Sequence, residues 1–182
     1  MPKIIDNPRE IILIHAKDII VNEGFNKLTM REVSKKSGIA VGTIYNYFPT
    51  KMDLTIQLME NYWYDYLDEV NEIDKTEQDF YLKLFKLYKR LDNFLETFME
   101  VWVKNANSGY TEDSLNRKKH FQEKLTKKFE EILLKAQNNG DIHLVLEPKA
   151  TAKFLMLNFI MMAQMKEFEY TDFEKILRKI FK

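Results

Sequence analysis

The 182-residue chain contains no cysteine. That excludes a disulfide framework, a thiol nucleophile and a cysteine-based zinc site. A reducing cytoplasm suits such a chain, and a cytoplasmic location is the expectation. Glycine and proline are scarce, at five and four residues, which leaves room for long helices. Long hydrophobic runs are missing too. The most apolar stretch, Phe154 to Met165, is 12 residues long and interrupted by Asn158 and Gln164, whereas a membrane crossing needs about 20. Near the N-terminus, Ile11-Ile12-Leu13-Ile14 is followed at once by His15, too short for the apolar centre of a signal peptide. The expectation is a soluble protein with no membrane contact.

Net charge is also absent: 28 basic residues balance 28 acidic ones. A globally basic nucleic-acid binder is not indicated, so any such site must be local. Residues 1–54 hold eight Lys and Arg against six Asp and Glu, a mild excess of +2. The three histidines, His15, His120 and His143, fall on separate elements, and there is no P-loop or dinucleotide fingerprint. No catalytic residue, metal site or cofactor is expected, and the chain does not read as an enzyme.

What is present is helical periodicity. Asn7-Pro8-Arg9-Glu10 reads as an N-cap, a proline at the first helical position and an early acid. Ile12, Ala16, Ile19 and Ile20 follow at helical spacing up to Gly24. Thr29-Met30-Arg31-Glu32 has the form of a capping box for a short second helix closed by Gly38. A third runs from Ala40 to Phe48 and ends at Pro49, and Thr50-Lys51-Met52-Asp53 caps a fourth to about Val70. Further helices are expected at about 76–91, 92–106, 112–138, 148–168 and 172–181, about nine in all. The single alternating stretch, Ile142, Leu144 and Leu146, is too short and solitary for a sheet and reads as an extended connection. The class is all-α.

The third helix is unusual. At 100° per residue, Ala40, Val41, Ile44 and Phe48 share a core side, while Gly42, Thr43, Tyr45 and Asn46 face outward with Tyr47 on the flank. Surface helices normally carry Lys, Glu or Gln there, and a glycine inside a helix costs about 1 kcal/mol against alanine. Small and hydrogen-bonding groups on an exposed face suit close approach to another surface. Two short helices joined by the Gly38-Ile39 turn form a helix-turn-helix, whose second helix enters the major groove. Thr, Asn and Tyr there offer hydrogen bonds to base edges and phosphates.

Thr29-Met30-Arg31-Glu32-Val33, Gly38-Ile39, Gly42-Thr43-Ile44-Tyr45-Asn46-Tyr47-Phe48, Lys51 and Leu54 together resemble the N-terminal signature of the TetR family of bacterial transcriptional regulators. The resemblance covers roughly residues 8 to 56. It implies a helix-turn-helix DNA-binding domain of three helices at residues 1–49 and a larger helical effector-binding and dimerisation domain at 50–182. By position it implies that Gly42 and Thr43 approach base edges and that Val41 meets a thymine methyl. Thr29, Arg31, Tyr45, Tyr47 and Lys51 would then hold phosphates, and Asn46 completes the exposed polar face. Ala40 stands where the family often has serine, so a capping hydroxyl is missing. The competing reading of Tyr45 and Tyr47 is packing against the first helix; that of Arg31 and Lys51 is ordinary solvation.

In the second domain, Phe154–Met165 has little polar face, so it must be buried on several sides. The resemblance points to the last two long helices as a homodimer interface, with Leu155, Met156, Phe159 and Met162 central and Phe173, Ile176, Leu177 and Ile180 supporting them. Aromatics crowd the middle of the chain. Trp63, Tyr66, Tyr88, Phe98, Trp102 and Phe121 are candidates to line an adaptable apolar pocket, although an aromatic stripe is as readily plain core. The mixed Lys118, Lys119, Lys124, Lys127 and Lys128 series, interspersed with Glu123, Glu130 and Glu131, reads as a solvated helix face. The functional expectation is a sequence-specific repressor released from a near-palindromic operator in double-stranded DNA by a small, largely apolar effector. The alternative is a helical interaction or small-molecule-binding protein whose helix-turn-helix no longer binds DNA.

Overall fold

The computed structural model describes residues 6–106 and 112–181, with side chains described in these except at 99–106, 112–115, 117 and 118. Among the described residues there are eight α-helices and no strand: α1 (Pro8–Glu23), α2 (Met30–Ser37), α3 (Val41–Tyr47), α4 (Lys51–Lys75), α5 (Phe80–Ala106), α6 (Glu112–Asn139), α7 (Pro148–Met165) and α8 (Tyr170–Ile180). A 3-10 turn, Phe25–Lys27, links α1 to α2. No helix of the described residues is long and apolar enough to cross a membrane.

The N-terminal unit is built as the capping signals dictate, with one change. Asn7 sits in the left-handed region at φ 50° and its side chain caps nothing; its carbonyl instead accepts from the Glu10 and Ile11 N–H groups. Thr29 accepts from Glu32 N–H at 3.0 Å, but Glu32 turns to Lys35 at 3.6 Å, so only half of the expected box forms. The Thr50–Asp53 box is complete in both directions. Ile12, Ala16, Ile19, Val33 and Ile44, all fully buried, make the small core that holds α1, α2 and α3 together.

Two of the expected helices, 76–91 and 92–106, are one. Asp92 and Asn93 resemble an N-cap, yet α5 runs through them because Leu84, Leu87, Leu91, Leu95 and Phe98 continue one buried stripe. Each such side chain is worth about 1.5–3 kcal/mol when buried, against a propensity penalty well under 1 kcal/mol for Asp or Asn. Asp92 is buried and pairs with Lys166 and Lys89, the latter at 3.5 Å.

The larger unit centres on α7, which packs against both α5 and α6, while α4 packs against α5. Phe159 is fully buried and touches the rings of Tyr88, Phe129, Tyr170 and Phe173, so α5, α6, α7 and α8 meet at one side chain. The 142–146 stretch is an extended connection: Ile142 and Leu144 turn into the core and Leu146 lies exposed.

Candidate nucleic-acid interface

The turn between α2 and α3 is held from within. Gly38 takes φ 70°, a conformation costing other residues about 1–2 kcal/mol. Ser34 Oγ donates to the Ile39 carbonyl at 2.7 Å, and Ile39 N–H donates to Ser37 Oγ at 3.2 Å. These two serines were not singled out in the sequence, although Ser and Thr hydroxyls commonly close local turns. Ile39 itself is buried and anchors the turn to the core.

So fixed, α3 buries Ile44 and, just past its end, Phe48. Tyr45 and Tyr47 are 47% and 42% exposed, so neither ring is packed away against α1. Gly42 and Asn46 are exposed, and Val41 and Thr43 half-buried. Ala40, placed by periodicity on the core side, is exposed instead, because it lies before the first helical turn and supplies no side-chain cap. A Cβ built on Gly42 would meet nothing within 4 Å, and its φ is not positive. Nothing inside the protein requires glycine there. Thr29 spends an oxygen lone pair on its cap but keeps its hydroxyl proton for another acceptor, and Arg31 is exposed one residue into α2.

Lys51 is engaged more deeply than expected of a surface lysine. Its ammonium donates to the Phe25 carbonyl at 3.3 Å and lies 4.1 Å from the centre of the Phe25 ring. It thus ties the start of α4 to the 3-10 turn, which α5 also touches.

The aromatic candidates fall into two places. Trp63 on α4 lies between Phe94 of α5 and Phe121 of α6, each with ring centres 3.9 Å away. Tyr62 and Phe98 extend the group, at 4.8 Å from each other. Tyr62, Trp63 and Phe121 are half-buried, so this cluster reaches the surface. Tyr88 is elsewhere, stacked on Tyr170 at 5.0 Å in the α5–α7–α8 core. Tyr66 is core as well: its hydroxyl donates to the Leu87 carbonyl at 3.1 Å, and burial pushes it well above the ordinary phenol range. Burial also raises Tyr62. The Trp102 side chain lies outside the described residues.

The expected dimer residues divide between core and surface. Leu155, Met156, Phe159, Met162, Phe173 and Leu177 are buried in the protomer's own core, and only Ile176 and Ile180 of that set are exposed. A helix apolar nearly all round has two usable faces, and periodicity does not say which one the chain keeps for itself. The outward face carries Phe154, Leu157, Met161 and Met165, between 39% and 56% exposed. Their spacings of three, four and four residues make one continuous stripe on α7.

This arrangement is a helix-turn-helix of the kind carried by DNA-binding transcriptional regulators, followed by a larger set of helices. Residues 12–58 match the family model for bacterial regulatory proteins of the tetR family. The chain is 26% identical over 156 residues to the uncharacterised HTH-type transcriptional regulator YvdT of Bacillus subtilis (strain 168), a span of 86% of this chain and 80% of YvdT. A transcriptional regulator from Cytophaga hutchinsonii shares the fold with a TM-score of 0.71 at 20% identity, over 96% of this chain and 95% of that one. FadR of Bacillus subtilis, solved in complex with stearoyl-CoA, does so at 0.62 and 15% identity, over 92% and 94%. The chain is thus similar to bacterial regulatory proteins of the tetR family through residues 12–58, and it shares the fold of such regulators over most of its length.

Proposed function

We propose that this protein is a homodimeric repressor that leaves a near-palindromic operator when a small, largely apolar molecule enters its helical body. DNA recognition belongs to residues 1–49. Gly42 and Thr43 approach base edges, Val41 meets a thymine methyl, and Asn46 offers a bidentate amide. Thr29, Arg31, Tyr45, Tyr47 and Lys51 hold phosphates, which set register rather than sequence. A lysine ammonium carries three N–H donors, so Lys51 can serve both the turn and a phosphate. The observation that carries this reading is Gly42: an exposed glycine inside a helix that no internal contact requires.

Residues 50–182 supply the dimer and the sensor. The Phe154, Leu157, Met161 and Met165 stripe, with Ile176 and Ile180 on α8, is the face offered to a second copy. An isologous pairing places the two recognition helices about 34–36 Å apart or a multiple of it. The half-buried Tyr62, Trp63 and Phe121 rings, backed by Phe94 and Phe98, are the entry for an apolar effector, and the stearoyl-CoA held by the structurally similar FadR supports a ligand in this body. An effector that parts α4 from α5 moves α4 at its Thr50–Leu54 start, and α5 where it touches the 3-10 turn. It acts only to the extent that it prefers the arrangement with the wrong helix separation. The chemistry is binding, not catalysis, and the setting is the cytoplasm.

Duplex affinity measured across a salt series tests the phosphate part, since counterion release gives a linear loss of log affinity with log salt. Repeating the titration with saturating long-chain acyl-CoA and with planar aromatic compounds tests release. Operator binding unchanged by every effector class would remove the sensor role.

A further inference from the structure

The DNA-reading unit is joined to the rest of the chain at α4, and the join has a regular geometry. Arg9 Nη2 donates to Gln57 Oε1 at 2.7 Å, and Lys17 Nζ donates to Asp65 Oδ2 at 3.1 Å. Both pairs are separated by 48 residues in sequence. An equal offset at two points means that α1 and α4 run side by side in the same direction and in register, over eight residues or about 12 Å. The rung between them, at the same offset, is Leu13 with Asn61. Both residues wall a groove of about 570 Å3 that Tyr47 also borders. On this side the seam is open between its ends, so its two polar ends brace the angle between the helices.

The upper end does more than pair charges. The Lys17 ammonium lies 4.5 Å from the centre of the Tyr62 ring as well as on Asp65. Tyr62 in turn touches Phe94 and Phe98. One side chain of the DNA-binding unit therefore rests directly on the edge of the aromatic cluster. At the lower end Arg9 lies 5.6 Å over the ring of Phe48, the residue that closes α3. The seam therefore begins at the recognition helix and ends at the aromatic cluster.

We propose that Lys17, seated between Asp65 and the Tyr62 ring, is a positioning residue that sets the angle of the helix-turn-helix on α4 and so the separation of half-sites the dimer accepts. The inference rests on the dimeric reading above and adds a specificity determinant that touches no DNA. Lys17 and Asp65 are about half exposed. An exposed ion pair and an exposed cation–π contact together shift an orientation equilibrium by about 3- to 10-fold.

The test uses purified full-length protein and duplexes carrying two selected half-sites whose separation is varied one base pair at a time. Wild type should favour one separation. Lys17→Met and Asp65→Asn should flatten that preference by about threefold or more, with affinity for a single half-site unchanged. Lys17→Arg should retain it, and Lys17→Asp combined with Asp65→Lys should restore what Lys17→Asp loses. Tyr62→Leu should flatten it in part, although the ring is remote from DNA. A merely structural role would lower melting temperature without altering spacing preference. Full wild-type discrimination in folded Lys17→Met overturns the proposal. If wild type itself shows no preferred separation, the dimeric reading fails at that earlier step and the positioning role goes with it.

Discussion

Replacing Gly42 by alanine should make the protein more stable and a worse DNA binder. Glycine inside a helix costs about 0.5–1 kcal/mol relative to alanine, mostly through the freedom it has in the unfolded chain. The usual reasons for keeping it are positive φ or crowding. Neither applies: φ at Gly42 is not in the left-handed region, and a Cβ there meets nothing within 4 Å. The full gain of up to about 1 kcal/mol should therefore appear, raising Tm by roughly 2–4 °C for a domain of this size. On DNA the added methyl sits where α3 must enter the major groove, and losing one close base-edge approach costs about 1–3 kcal/mol, or roughly 5- to 150-fold in affinity. Thermal unfolding followed by circular dichroism and fluorescence anisotropy on an operator duplex give the two numbers. A destabilised variant would mean that the environment of Gly42 is tighter than described. A stabilised variant with undiminished affinity would mean that α3 does not enter the groove through Gly42.

Three further outcomes are expected. Leu157→Asp puts a charge in the centre of the exposed α7 stripe and should dissociate the dimer in sedimentation while leaving helix content intact; a dimer that survives places the interface elsewhere. Lys51→Ala should lower stability by about 1–2 kcal/mol, through the lost Phe25 hydrogen bond and ring contact, and flatten the salt dependence of DNA binding by about one unit of slope; an unchanged slope confines Lys51 to its turn. Burial raises Tyr66 and Tyr170 in the folded state, so their contribution is complete below the phenol's ordinary value and is lost as pH climbs past it. Stability should thus fall above about pH 10, where the unfolded chain ionises. Tyr66→Phe should fall less steeply over that range in denaturant titrations, and an equal slope would remove the linkage.

The DNA-binding unit was largely legible because local signals there agree with tertiary ones. Pro8, Gly24, Gly38 and Pro49 punctuate it, Thr29 and Thr50 cap it, and Ile44 and Phe48 are inward on any helical projection. The exposure of Tyr45 and Tyr47 followed from the same projection. Legibility declined where a choice depended on long-range packing. Asp92 and Asn93 look like a helix start, yet α5 continues through them because its Leu84–Phe98 stripe packs inward and Lys166, 74 residues away, pairs with the buried Asp92. In α7, Leu155 and Leu157 are equivalent in sequence; contact with α5 and α6 decides that the first is core and the second faces out. Tyr88 and Trp63 likewise read as one aromatic group, yet α5 turns Tyr88 toward α7 and α8 and sends Phe94 to Trp63. The Lys17–Asp65 contact, between residues 48 apart, has no local signature at all.

The most direct measurement is selection of random duplex DNA by the purified protein, read out by sequencing. The account predicts one enriched palindrome whose half-sites are separated by whole helical turns, bound by a dimer. Absence of any enriched sequence, from protein shown by sedimentation to be a folded dimer, would contradict it.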